Sequence, residues 1–191
     1  MTTIGTKSVL LGAHCFFIHP FFVLWAYWKL EGFTLDPRII LACFVHDLGY
    51  LGKKDIDGPD GKYHPILGAE IMHFLFDDRK EGEVTWKHFC LLHSRYYADL
   101  FKLPYSKLCV ADKYAICLTP WWIYLPLVCF TGEIYEYLKN SETIDTLKIL
   151  RERPKYFEGS FKMLTGAVFK KPFTWYTGLQ EYMRVWVEEN K

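Results

Sequence analysis

Six side chains have the types and the order needed to hold metal ions: His19, the adjacent pair His46 and Asp47, His64, His93 and Asp112. Imidazole nitrogens and carboxylate oxygens make a mixed donor set that suits Fe, Mn, Co, Ni or Zn, without selecting among them. Each interrupts a stretch that otherwise reads as packed apolar helix. The densest case is Cys43-Phe44-Val45-His46-Asp47-Leu48-Gly49-Tyr50, an apolar run that ends abruptly in two ligand types. A His-Asp pair alone is a weak signal, and the ordered series carries the argument. Asp112 lies among Leu108, Val110, Ala111 and Ala115, where a carboxylate is costly unless it is paired or bound to metal.

The series resembles the HD-domain superfamily of metal-dependent phosphohydrolases. Its pattern is a histidine on a first helix, a His-Asp pair, often two further histidines, and a late aspartate. Local matches are His19 with Val23 and Ala26, His64-Pro65-Ile66-Leu67-Gly68-Ala69, and Leu108-Cys109-Val110-Ala111-Asp112, and the resemblance spans residues 15–118. The fuller version of the pattern is similar to HD enzymes that hydrolyse diadenosine tetraphosphate, to HD-GYP phosphodiesterases, and to the diiron oxygenases typified by myo-inositol oxygenase. The chain departs from many relatives at Tyr50, where they carry lysine, although Lys53 and Lys54 follow.

The resemblance implies two divalent ions. His19, His46, Asp47 and Asp112 would hold one, while a bridging Asp47 with His64 and His93 would hold the other. Such a pair ionises a water near neutral pH and clamps the attacking and leaving oxygens of a displacement. The expected activity is hydrolysis of a phosphoester or phosphoanhydride in a small phosphorylated substrate, a nucleotide in the narrower form. Asp47, Arg95, Lys53 and Lys54 are the candidate catalytic residues, and Tyr50, Arg95, Lys107 and Lys113 the candidate substrate contacts. Arg95 has the planar fork that suits phosphate. His93 is preferred as ligand because Ser94-Arg95 follows it, as in many relatives. His14, His73 and His88 keep the ordinary reading of a satisfied core or surface histidine. Two rival classes stand beside this one: a diiron oxygenase using the same six ligands, and a noncatalytic membrane-associated or partner-binding protein.

Composition bounds the rest. The 191 residues suit one domain, with a motif-bearing core over residues 15–118 and a C-terminal helical extension over residues 119–191. A net charge of +1 creates no whole-molecule field for nucleic acid, so no nucleic-acid partner is expected. A homo-oligomer is compatible with the sequence. Cysteines 15, 43, 90, 109, 117 and 129 stand singly in apolar segments, which fits a reducing, cytoplasmic setting. Val9 to Trp28 carries no formal charge and is long enough to span a bilayer, but it contains His14, His19 and Pro20, so a span is not favoured. The aromatic patch at Trp121 and Trp122 reads as core.

The expected elements are all helical. One covers residues 8–30, with a break before Pro20. Asp36-Pro37 opens a second that runs to Leu48. A glycine-rich loop from Gly49 to Tyr63 forms the rim of the site. A third helix runs from His64-Pro65 to Phe76, a polar stretch covers Asp77 to Glu83, and a fourth helix covers Val84 to Tyr97. A fifth starts at Pro104, and helical signals continue beyond Glu133.

Overall fold

Short polar side chains set the helix starts. Asp36 accepts from the Arg38 N–H (2.9 Å), Thr85 from His88 (3.3 Å) and Ser106 from Cys109 (3.2 Å), each satisfying a backbone donor that the first turn leaves unpaired. The computed structural model describes residues 2–76, 85–143 and 172–191. The expected polar stretch Asp77–Glu83 and the proposed helix start at Val84 lie outside those residues, as do the helical signals over 144–171.

Among the described residues the architecture is all-α, with α1 (Ile4–Leu11), α2 (His19–Glu31), α3 (Pro37–Val45), α4 (Pro65–Phe76), α5 (Trp86–Leu91), α6 (Arg95–Phe101), α7 (Lys107–Leu118), α8 (Trp121–Thr131), α9 (Glu133–Thr143) and α10 (Pro172–Asn190). Short 3-10 turns cover Leu48–Tyr50 and Gly61–Tyr63.

Four of these boundaries correct the sequence expectation. The helix opened at Asp36-Pro37 ends at Val45 and not at Leu48, where a separate 3-10 turn begins. The break expected before Pro20 is present, with Pro20 in the first turn of α2, but it is a turn from Gly12 to Ile18 that separates two helices, and the first of them starts at Ile4. This split also divides the charge-free stretch Val9 to Trp28. The helix over residues 84–97 is likewise two. Between them, His93 and Ser94 make tight bonds three residues back, to the carbonyls of Cys90 and Leu91. The fifth helix starts at Lys107, where Ser106 caps it, and not at Pro104.

α2 lies along α7, and that pairing is the spine of the core. Val23, Ala26, Ala111 and Ala115 are fully buried there, and the small alanines let the two backbones approach closely. Cys43 of α3, Met72 of α4 and Cys90 of α5 fill the other side. Gly68 sits where a Cβ would meet the Val45 carbonyl oxygen at 2.5 Å, so α4 can press against the end of α3 only with glycine at that position. The C-terminal helix is tied to the same spine. Tyr176 Oη lies 2.8 Å from the Thr119 carbonyl and Gln180 Nε2 donates to the carbonyls of Ile116 and Thr119, which supplies partners to the unpaired end of α7.

All six cysteines are free thiols. Among the described residues no single helix is long and apolar enough to cross a membrane; α7 and α8 pass that test only as a pair bent by 101°. Trp121 and Trp122 are 52% and 61% exposed, so they are surface residues and not the core that their aromatic surroundings suggest.

Candidate metal centre

Each ligand type stands where an element ends or crosses. His19 is the first residue of α2, His46 closes α3, and Asp47 follows before the Leu48–Tyr50 turn. His64 ends the Gly61–Tyr63 turn, His93 stands in the break between α5 and α6, and Asp112 is in the middle of α7. The structure brings all six together. His19, His46, Asp47 and Asp112 form one group and Asp47, His64 and His93 a second, with the donor atoms of each group within 4.8 Å of one another.

The two carboxylate oxygens of Asp47 divide between the groups. Oδ2 lies 3.0 Å from His46 Nε2 and 3.4 Å from His19 Nε2. Oδ1 lies 3.4 Å from His93 Nε2 and 3.6 Å from His64 Nε2. Asp112 Oδ1 completes the first group at 3.0 Å from His19 Nε2 and 3.8 Å from His46 Nε2. Ligands held about 2.1 Å from one ion lie about 3 Å or more from each other, which is the spacing seen.

The histidines are oriented from behind. Nδ1 of His46 bonds the Cys43 carbonyl (2.8 Å), that of His64 the Gly61 carbonyl (2.8 Å), and that of His93 the Cys90 carbonyl (2.6 Å). A carbonyl only accepts, so Nδ1 carries a hydrogen, and each of these rings when neutral presents a bare Nε2 lone pair inward. His64 and His93 then place two such nitrogens 3.0 Å apart. Nε2 of His19, Nε2 of His46 and Oδ2 of Asp47 are buried with no hydrogen-bond partner, despite the short distances between them. Buried polar atoms that converge without hydrogen-bond partners fit a cation between them. The donor set therefore fits a metal ion.

Protein groups alone leave the site electrostatically divided. Burial would raise both carboxyls, but His46 beside Asp47 and Lys113 beside Asp112 outweigh it and hold both well below the usual range. Burial would lower His46, yet Asp47 and Asp112 raise it to about 10. His64 and His93 go the other way, since burial dominates and keeps them neutral.

The remaining sequence candidates spread out. Lys113 ion-pairs with Asp112 Oδ2 at 2.6 Å. Tyr50 is buried and stacks on the His64 ring, 4.1 Å between centroids, which backs a ligand. Arg95 lies against α10, its Nη1 3.4 Å from Tyr182 Oη and its guanidinium over the Trp186 ring. Lys107 pairs with Glu31 at the surface. The Lys53 ammonium lies near the Tyr63 ring and Lys54 is exposed. The loop carrying them is anchored by Glu136 of α9, which accepts from the N–H groups of Ile56 and Asp57.

Sequence reasoning passed over His14. Its Nε2 lies 4.0 Å from Asp47 Oδ2, and its ring sits against His19 and Tyr50. Burial lowers its pKa to about 4. The available signal was its place five residues before His19 in the same charge-free stretch. A cavity of about 60 Å³ opens beside the cluster, lined by His14, His19, Asp112 and Lys113 with apolar walls that include Phe22 and Leu127. Comparison with protein-family models, with curated proteins and with solved structures finds no match for this chain.

Proposed function

We propose that the chain is a metal-dependent phosphohydrolase with two divalent ions that share Asp47. The observation supporting this reading is the division of the Asp47 oxygens between two histidine groups. Ions bound there would supply a water ionised near neutral pH and positive charge against the oxygens of the reacting phosphoryl group. The chain's own part is to orient. Backbone carbonyls fix the three histidine rings, Tyr50 backs His64, and Lys113 brings an ammonium to the cavity wall. The cavity suits a phosphoryl group, so a nucleotide substrate would keep its base and sugar outside. A panel of phosphomonoesters, nucleotides, dinucleoside polyphosphates and cyclic dinucleotides, each assayed with Mn, Co, Fe and Zn under nitrogen, tests the proposal. Metal-dependent phosphate release supports it, and inactivity across the panel counts against it.

The second reading is a diiron oxygenase on the same ligands. It is favoured by the apolar walls of the cavity and by Lys113 being the one Lys or Arg that lines it among the described residues. Substrate turnover that needs iron and consumes dioxygen would select this reading.

A further inference from the structure

Glu133, the first residue of α9, is fully buried at the far side of His14. Its Oε2 accepts from Ser8 Oγ (3.0 Å), the Ala13 N–H (3.1 Å) and Tyr137 Oη (3.1 Å), and its Oε1 is 2.6 Å from Thr131 Oγ1. Burial raises the Glu133 carboxyl, opposed by these four donors, and as a carboxylate it can only accept, so the single hydroxyl hydrogen of the fully buried Ser8 goes to it. Its contact with His14 Nδ1, at 2.7 Å, must then be one in which the imidazole donates. Nδ1 bears the hydrogen, and Nε2 is left as an acceptor at the cavity wall beside Asp47 and His19.

This is the tautomer of the metal-facing histidines, produced by side chains from α1 and α9 instead of a neighbouring carbonyl. His14 nevertheless stands outside both ligand groups. A buried carboxylate and a buried serine therefore specify the direction of one hydrogen bond into the cavity. The cavity offers complementary groups: Lys113 can only donate, and His14 Nε2 can only accept.

We propose that Glu133, acting through Ser8, presents His14 Nε2 as the acceptor for the P–OH of a hydrogen-phosphate-type anion, the form in which a hydrolysed phosphoryl group leaves. The inference rests on the phosphohydrolase reading and adds a selectivity to it. A site with an acceptor in that place takes an oxyanion that carries a hydroxyl and rejects its counterpart without one, because the acceptor would be buried and unpaired.

Inorganic phosphate and sulfate are the probes, since phosphate keeps an O–H at neutral pH and sulfate has none. Both are titrated into the Zn-loaded wild type, His14→Phe and Ser8→Ala, with metal content measured in each. Nitrogen NMR of histidine-labelled wild type and Ser8→Ala reports the His14 tautomer. The expected result is a wild type that prefers phosphate by about tenfold or more, a preference that collapses in both variants through weaker phosphate binding while sulfate binding and metal content hold. The NMR should show hydrogen on Nδ1 in the wild type and a shift toward Nε2 in Ser8→Ala. An unchanged phosphate-to-sulfate ratio in His14→Phe, or hydrogen on Nε2 in the wild type, overturns the proposal about His14 while leaving the hydrolase reading standing. Failure of both anions to bind the loaded wild type overturns the hydrolase reading and this role with it.

Discussion

His64 and His93 hold their Nε2 atoms 3.0 Å apart while each Nδ1 is engaged by a backbone carbonyl, so two lone pairs face each other inside the protein. Two segments distant in the chain thus converge on a point that could hold a metal ion. Asp47 Oδ1 is the third donor at the same point.

Gly49 controls how close the His64 segment comes. A Cβ at position 49 would lie 1.9 Å from the His64 carbonyl oxygen. Gly49→Ala should cost about 1–3 kcal/mol of stability and weaken the position made by His64 and His93 while sparing the other. Chemical denaturation with a metal titration checks this, and wild-type binding at both positions would refute it.

Both aspartates should stabilise the metal-free protein at neutral pH. Asp47 Oδ2 lies 3.0 Å from His46 Nε2 and raises that imidazole, so Asp47→Ala should cost about 3 kcal/mol by leaving it without its nearest carboxylate. Asp112 partners the half-buried ammonium of Lys113, so Asp112→Ala should cost a similar amount. Both should abolish turnover. Chemical denaturation of the metal-free variants checks this, and wild-type stability in Asp47→Ala would show that His46 is not charged there.

Metal binding should compete with protons. The folded pKa of His46, about 10, is above its ordinary 6.5. In metal-free protein the raised value therefore contributes stability that is complete below pH 6.5 and lost as pH rises through 10. The same proton must leave when an ion binds. Affinity should therefore climb by about tenfold per pH unit for each proton displaced, and binding at pH 7 should release protons. Calorimetry in two buffers of different ionisation enthalpy measures the release; none detected would contradict the His46 assignment.

His46, Asp47 and Asp112 could be read from sequence because each is a polar residue in an apolar run, which needs an explanation before any fold is known, whereas His64, at the end of a polar glycine-rich loop, was legible only through the resemblance. The cap at Asp36-Pro37 and the span of α4 could be read for local reasons. The break around His93 could not, since the Leu92 carbonyl it exposes is taken by the Ser106 N–H from another segment. His14 was hidden for the same reason: its orientation depends on Glu133, more than a hundred residues away in the chain. Arg95 stands next to the His93 break, but α6 turns it toward α10, and sequence adjacency carries no direction.

Arg95 should accordingly behave as a docking residue. Arg95→Ala removes its contacts with Tyr182 and Trp186 and should lower stability by about 1 kcal/mol with metal content unchanged. A Trp186 fluorescence change with little effect on kcat/KM is expected. A large loss of kcat/KM at full metal content would instead return Arg95 to the substrate.

In the proposed centre one carboxylate, Asp47, serves two ions. Elemental analysis of protein reloaded with Mn, Fe, Co or Zn and freed of excess metal measures it directly, with His64→Ala analysed alongside. Close to two ions per chain are expected in the wild type and close to one in His64→Ala, the survivor held by His19, His46, Asp47 and Asp112. One ion or fewer in the wild type under every loading condition, or no change in His64→Ala, would contradict it.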